Sequence, residues 1–469
     1  MKFGGTSVGD ASCIARVTQI VKAAAAEGPI IAVVSAMSGV TNRLIDAANL
    51  SALAEGKQVD VIFASLRLQH ETALASLIHD DARRKRVAVC LAKIFDEGER
   101  LCKGTALLHE LTPRSLDAIS SLGERLSAPM VAGALSELGT PSEPVEATEL
   151  IVTDSSHGGA DPRMDRTRER SEARLQPLLA QGVVPVVTGF IGATQDGVLT
   201  TLGRGGSDYS ATILGAAMGA GEVIIWTDVD GVMTADPRLV PDARTIPEIS
   251  YREATELAYF GAKVLHPKTL HAVSQAGIPV WIRNSFTPER TGTKITPKGR
   301  TNGGGVKALT AIRDVALITV GGPGIVGLTD VVGRTFSTTA EVRASILLIS
   351  QSSSQNDICF IVAAADAKRT VEALRKEFAQ DVAHEKVEHI TMDATIAIVA
   401  VVGENMRGTP GVAGRTFNAV GRENVNIIAI AQGSSETNIS FVVFEKEIKA
   451  ALAATHREFG LAGTKAKGS

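Results

Sequence analysis

Two glycine clusters carry the residues best suited to chemistry. Lys2 stands just ahead of Gly4-Gly5-Thr6-Ser7, while Arg204 and Asp208 frame Gly205-Gly206-Ser207 in the run from Gly203 to Asp208. Each cluster falls between a strand-like stretch and a helical pattern, where unpaired backbone N–H groups and the helix dipole favour an anion. A glycine pair alone is an ordinary tight turn. Two pairs with a lysine, an arginine and an aspartate attached point to phosphate. Neither is a Walker A loop, because the lysine precedes its glycines and no Gly-Lys-Ser/Thr follows them. P-loop chemistry is therefore disfavoured.

Such residues need a rigid scaffold. Short β-branched runs at 29–34, 183–188, 222–227 and 278–283 alternate with helical patterns, which predicts an α/β layered fold. The first helix places Ile14, Val17, Ile20, Val21 and Ala24 on one face, with Asp10 as its cap and Gly28 as its stop. Only Met1 precedes Lys2, so the first strand is expected to be very short and frayed. From Thr287 to Gly305 the chain turns to Pro288, Gly292, Pro297, Gly299 and Gly303-Gly304-Gly305, which reads as a linker.

Beyond it lies an internal repeat. Gly333-Arg334-Thr335-Phe336 recurs as Gly414-Arg415-Thr416-Phe417, and Gln351 recurs as Gln432, both at an offset of 81 residues. The same register aligns Ile349 with Ile430 and Phe360 with Phe441. Each copy reads as strand, glycine-bearing loop, helix, strand, Gln-Ser turn, strand and helix. The expected division is a first domain over 1–286, a linker over 287–308, and repeat units over 309–389 and 390–469.

Bulk composition narrows the function classes. A chain of 469 residues, 44% hydrophobic and 21% charged, has the make-up of a soluble globular enzyme with about three domains. A net charge of −3 offers no basic field for a polyanion, so no nucleic-acid partner is expected. The run Arg83-Arg84-Lys85-Arg86 follows Asp80-Asp81 and reads as a solvated helix face. Cys13, Cys90, Cys102 and Cys359 show no paired spacing, which indicates neither a disulfide frame nor a zinc site. Cys13 and Cys359 read as core residues. No membrane-length apolar run and no signal-peptide pattern occur, so the expected compartment is the cytoplasm, without a membrane partner.

Seven successive motifs resemble those of aspartokinases, members of the amino acid kinase family. They are Lys2 to Ser7, Val34 to Asn42, Gly189-Phe190-Ile191-Gly192, Gly203 to Asp208, Trp226-Thr227-Asp228-Val229-Asp230-Gly231, Asp236-Pro237-Arg238, and Phe260 to Pro267. They follow the family's order and span nearly all of the first domain. The resemblance implies an open, largely parallel sheet with helices on both faces, aspartate in the N-terminal lobe and ATP in the C-terminal lobe. It also implies a reaction, aspartate plus ATP giving aspartyl β-phosphate and ADP. A side-chain carboxylate with a pKa near 3.9 is already ionised, so the nucleophile needs charge neutralisation rather than a general base.

By that resemblance Lys2 is the catalytic cation and Asp208 its partner. Gly4, Gly5, Gly205, Gly206 and Ser207 would contact phosphate, and Lys263 would reach it. Thr227, Asp228, Met233, Asp236 and Arg238 would complete the ATP site, with Met233 where many relatives carry tyrosine. Arg204 would grip the substrate α-carboxylate in two parallel N–H bonds and Glu124 the α-ammonium, with Ser35, Thr41 and Phe190 beside them. Mg²⁺ is expected on the β- and γ-phosphates, held largely by those phosphates and water, with no protein ligand named. The rival within the family is a kinase acting on a glutamate derivative or a nucleotide. A non-catalytic amino-acid-binding regulator is disfavoured by the presence of both Lys2 and Asp208.

The repeats resemble ACT domains, most of all the tails of threonine-responsive aspartokinases. Ile349, Gln351, Ile430, Gln432 and Asn438 are the implied effector contacts, and threonine or lysine the implied effector. A homodimer or higher homo-oligomer through the ACT domains is the corresponding expectation.

Overall fold

The computed structural model describes residues 1–261, 265–300, 305–322, 329–351, 356–406, 408–433 and 436–462, with backbone alone at 329 and 405. It divides into two compact units. One comprises Met1–Val232, Pro247–Tyr251 and Val264–Gly299, the other Met233–Ile246, Arg252–Lys263 and Arg300–Ser469.

The strands of the first unit are β1 (Lys2–Phe3), β2 (Ala32–Val34), β3 (Ser142–Val145), β4 (Val152–Thr153), β5 (Val184–Thr188), β6 (Ile191–Thr194), β7 (Leu199–Thr201), β8 (Val223–Thr227), β9 (Glu248–Ser250), β10 (Val280–Asn284) and β11 (Thr293–Thr296). Eight of them form one sheet in the order β3-β5-β2-β1-β8-β10-β11-β9, parallel except for the β10–β11 pair. β4, β6 and β7 form a smaller sheet. The strand β11 lies inside the stretch read as a linker. Its single apolar residue, Ile295, is fully buried, a signal too short to stand out among Pro and Gly.

β1 has two residues, as the sequence implied, but it is not frayed. Lys2 pairs with Val33 on one side and Ile225 on the other, and Phe3 with Val34 and Trp226. A strand bonded on both edges is held by its neighbours rather than by its own length. Phe3 is fully buried and stacks on Trp226 with ring centroids 6.2 Å apart. Helix Ala11–Ala25 is capped by Asp10, which accepts from Cys13 N–H, and buries Ile14, Val17, Ile20 and Val21. Each such aliphatic side chain contributes about 1.5–3 kcal/mol. Cys13 is buried as expected, whereas Cys359 is only half-buried.

In the second unit, β12 (Ala308–Gly321), β13 (Ile346–Gln351), β14 (Asp357–Ala363), β15 (His389–Val402), β16 (Ala429–Ala431) and β17 (Asn438–Phe444) form a sheet in the order β13-β14-β12-β15-β17-β16. The repeats interleave. β12 pairs with β14 over Val315–Gly321 only, β15 pairs with β17 over Ile396–Val402 only, and β12 and β15 run antiparallel along both of these stretches. The first repeat therefore takes its fourth strand from His389–Asp393, and the second from Ala308–Ile312. The offset of 81 is reproduced in three dimensions. Arg334 binds the Glu377 side chain and lies over the Phe378 ring, as Arg415 binds Glu458 and lies over Phe459.

One charge pair is deeply buried here. Lys307 Nζ lies 2.7 Å from Glu253 Oε2, while Oε1 accepts Glu404 N–H at 2.9 Å. Replacing Lys307 with methionine strands the carboxylate and is expected to cost about 3–5 kcal/mol, read as a lowered denaturant midpoint for this unit. An unchanged midpoint would show that the pair is not stabilising.

Candidate active site

All four central strands run parallel, so their carboxyl ends open on one edge of the sheet, where ligands of such sheets bind. Register places Phe3, Val34, Thr188 and Trp226 in one row. Gly4, Ser35 and Gly189 therefore leave the sheet side by side, next to Thr227, the last residue of β8.

Lys2 projects from the central strand with its side chain 9% exposed, and its Nζ lies 2.5 Å from Asp208 Oδ1. That oxygen makes an ion pair and takes no other hydrogen bond among the described residues. A Cβ on Gly4 would stand 3.3 Å from the same ammonium, so glycine lets backbone and charge approach closely. Asp208 sits in the first turn of helix Gly206–Ala217, whose start at Gly205 (φ +71°) has no side-chain cap. The Gly206 N–H is taken by the Gly203 carbonyl at 2.9 Å, which leaves the Ser207 and Asp208 N–H groups of the first turn to face an anion.

Glu124 lies in the first turn of helix Leu122–Glu137 and is 4% exposed. Its Oε2 has no hydrogen-bond partner among the described residues. Burial pushes its carboxyl up to about 8, against the pull of the Ala36 and Glu124 N–H groups and the charge of Lys2. Gly123 lets this helix approach: a Cβ there would lie 2.6 Å from Ala36 Cβ and 3.5 Å from Thr41 Oγ1. Thr41 and the buried Ser35 thereby belong to the neighbourhood of Glu124.

Phe190 adopts φ +72°, a conformation unfavourable for a bulky residue, held by its N–H to Ser210 Oγ at 2.9 Å and its carbonyl from Leu202 N–H at 2.8 Å. Gly206 is where Phe190 packs, since a Cβ would stand 2.7 Å from its ring. Ser207 is brought against Gly189 in the same way. Arg204 is exposed. Burial first, then the charges of Lys268 and Arg204, lower the His266 pKa.

The nucleotide candidates separate. Thr227 ends β8, with its hydroxyl 3.2 Å from Asp228 Oδ1. Met233, Asp236 and Arg238 belong to the second unit, where Asp236 and Arg238 bind each other at 2.7 Å and that pairing lowers the Asp236 pKa. Lys263 lies outside the described residues. Among the described residues no three His, Cys, Asp or Glu side chains converge as a metal site. The donor set at the Gly4 and Gly205 loops, an ammonium and backbone N–H groups, fits phosphate oxygens and a cation already held by them.

In the repeats, Ile349 and Ile430 are 50% and 46% exposed on the two edge strands β13 and β16, with Gln351 and Gln432 exposed beside them. Asn438 differs, because its Nδ2 already donates to the Glu256 carboxylate. Three sets of residues at the first unit's site escaped sequence reasoning. Ser7 Oγ and Ser285 Oγ, 2.8 Å apart, fasten the Gly4-Gly5 loop to the end of β10. Arg125 binds Glu97 twice, at 2.7 and 3.0 Å, and Glu146 at 2.8 Å, anchoring the turn that holds Glu124. Asp117 is the third. Ser7 and Arg125 adjoin motif residues, which was a usable signal, whereas Asp117 has no motif of its own.

A central parallel sheet with a paired lysine, an uncapped glycine-led helix and a buried acceptor at its carboxyl edge is the architecture of the amino acid kinases. The model of the amino acid kinase family matches residues 1–284, and that of the ACT domain matches 318–378 and 399–459. Over 98% of its length the chain is 31% identical to aspartokinase 1, chloroplastic, of Arabidopsis thaliana, covering 79% of that protein. It is 35% identical over 99% of its length to the bifunctional aspartokinase/homoserine dehydrogenase 1, chloroplastic, of the same plant, and spans 51% of it, about half the length of that relative. E. coli aspartokinase III, solved in complex with aspartate and ADP, matches with a TM-score of 0.79 at 29% identity, over 97% of this chain and 98% of that one. The chain belongs to the aspartokinases of the amino acid kinase family. No helix among the described residues is long and apolar enough to cross a membrane.

Proposed function

We propose that this protein phosphorylates the side-chain carboxylate of L-aspartate with ATP, giving 4-phospho-L-aspartate and ADP. The observation that carries this reading is the Lys2–Asp208 pair, standing within electrostatic reach of the buried Glu124 carboxylate, whose Oε2 has no hydrogen-bond partner among the described residues. An anion-binding loop beside a waiting carboxylate suits a substrate that is itself an amino acid.

In this mechanism Glu124 receives the α-ammonium, and Arg204 closes on the α-carboxylate in bidentate geometry. Ser35, Thr41 and Phe190 hold the chain of the substrate. Its β-carboxylate oxygen attacks the γ-phosphorus, the new O–P bond forms as the bond to ADP breaks, and no proton need move. Lys2, kept in place by Asp208, neutralises the charge spreading over the transferred group. Gly5, Gly205 and Ser207 contribute backbone donors, while Gly4 and Gly206, whose N–H groups already bind the Trp226 and Gly203 carbonyls at 3.2 and 2.9 Å, are assigned to close backbone approach to the phosphates. Thr227, Asp228, Met233, Asp236, Arg238 and Lys263 are assigned to ATP. Mg²⁺, when bound, would supply further charge neutralisation at the phosphates, with no protein ligand assigned to it.

Catalysis is assigned to residues 1–286 and sensing to the ACT units at 309–389 and 390–469, with 287–308 joining them and homo-oligomer contacts through the ACT domains. E. coli aspartokinase III was also solved with lysine and aspartate, which supports an amino-acid effector at Ile349, Gln351, Ile430, Gln432 and Asn438, threonine, lysine or both. The reaction opens the route to lysine, threonine and methionine.

Trapping acyl phosphate with hydroxylamine tests this directly. Hydroxamate is expected with aspartate and ATP, and not with glutamate. Turnover of glutamate in place of aspartate would move the chain to the rival substrate class. In the same assay threonine, lysine or both are expected to inhibit, and indifference to all of them would remove the sensor assignment.

A further inference from the structure

A buried carboxylate outside every motif ties together the two elements that grip the substrate. Asp117, on helix Pro113–Ser120, is 2% exposed. Its Oδ1 accepts from Thr201 Oγ1 at 2.5 Å and Gly158 N–H at 3.1 Å, and its Oδ2 from His157 Nδ1 at 2.7 Å and Thr201 N–H at 3.3 Å. A carboxylate only accepts, so each of these groups donates to it.

The donors reach the Arg204 loop by two routes. Thr201 ends β7, just ahead of Gly203-Arg204, and its carbonyl is held by Ala160 N–H at 2.9 Å. Gly158 packs on Gly203 itself, where φ is +76° and a Cβ would stand 2.9 Å from the Gly158 carbonyl oxygen. In the other direction the helix of Asp117 continues through Ser121 into Leu122–Glu137, which carries Glu124. One side chain therefore links the segment bearing Arg204 to the segment bearing Glu124.

We propose that Asp117 is a positioning residue that sets the spacing between Arg204 and Glu124, and so the affinity for the amino-acid end of the substrate. The proposal rests on the roles given above to Arg204 and Glu124. Two charged contacts to one small zwitterion tolerate little displacement, because misplacement by about 1 Å at a reacting site is already costly. Gly158 N–H also reaches Oδ2, at 3.2 Å, so asparagine at this position keeps the shape and an acceptor for Gly158 but in either orientation turns an NH₂ toward one of the two Thr201 donors.

The test is steady-state kinetics of the full chain with Asp117→Asn and, as a milder change, Thr201→Val, which removes one hydroxyl donor. Asp117→Asn is expected to raise the KM for aspartate about tenfold while the KM for ATP stays within about twofold, and Thr201→Val to raise it about threefold. A merely structural role lowers Tm and the active fraction but leaves the aspartate KM of the surviving enzyme unmoved, and that result overturns the proposal. Parallel increases in both KM values overturn it too. If Asp117→Asn does not fold, the Thr201→Val split decides. An active wild type with unmoved variants defeats this inference alone, whereas a wild type that forms no aspartyl hydroxamate defeats it together with the reading on which it rests.

Discussion

Lys2→Ala is expected to lower aspartyl hydroxamate formation by about a thousandfold, because it removes the side-chain cation that Asp208 holds and that is assigned to the transferred phosphoryl group, in a reaction that depends on positioning and charge neutralisation. Backbone pairing of β1 does not involve the side chain, so the sheet is expected to persist. The fold is not indifferent, however. Asp208, with its side chain 16% exposed, loses its ionic partner, and a lowered Tm should accompany the lost activity. Adding Asp208→Asn to Lys2→Ala should restore much of the Tm and none of the turnover. Turnover within about tenfold of wild type in Lys2→Ala would overturn the assignment of Lys2.

Glu124→Gln is expected to raise the KM for aspartate about a hundredfold, since it removes one partner of a desolvated charge pair. The pH dependence separates this role from simple packing. In the unliganded site burial raises the Glu124 carboxyl to about 8, so near neutral pH it is mostly protonated. The substrate ammonium favours the carboxylate and pulls that value down. Aspartate binding at pH 7 should therefore expel close to one proton, and affinity should rise with pH up to about 8 and then level off. Titration calorimetry in buffers of different ionisation enthalpy measures this release, and its persistence in Glu124→Gln would rule Glu124 out as its source. Stability runs the opposite way. The folded value lies above the ordinary 4.5, so Glu124's contribution is complete below pH 4.5 and is lost as pH climbs through 8 in the absence of aspartate.

Asn438 shows why exposed repeat residues and residues held by distant partners differ in legibility. Its place in the repeat was visible, but its bond to Glu256 joins residues far apart in the chain. Ile349 and Ile430 stand exposed where the repeat placed them, because edge strands leave one face and one row of backbone groups uncovered.

By itself the sequence determined what local patterns can carry: the alternation of strand and helix, the glycine turns that open helices onto anions, the Asp10 cap, and two copies of one module at an offset of 81 residues. These follow from backbone preference and side-chain periodicity within a few turns of chain. Tertiary structure alone decided the rest. A two-residue strand is stable only because β2 and β8 bond it from both sides, and Thr293–Thr296 is a strand only because β9 and β10 accept it. The repeats exchange strands because β12 and β15 are each long enough to serve both repeats within one sheet. Lys2 meets Asp208, Glu124 loses its water, and Asp117 finds Thr201 and Gly158 through desolvation and pairing among distant segments, which no window of sequence contains.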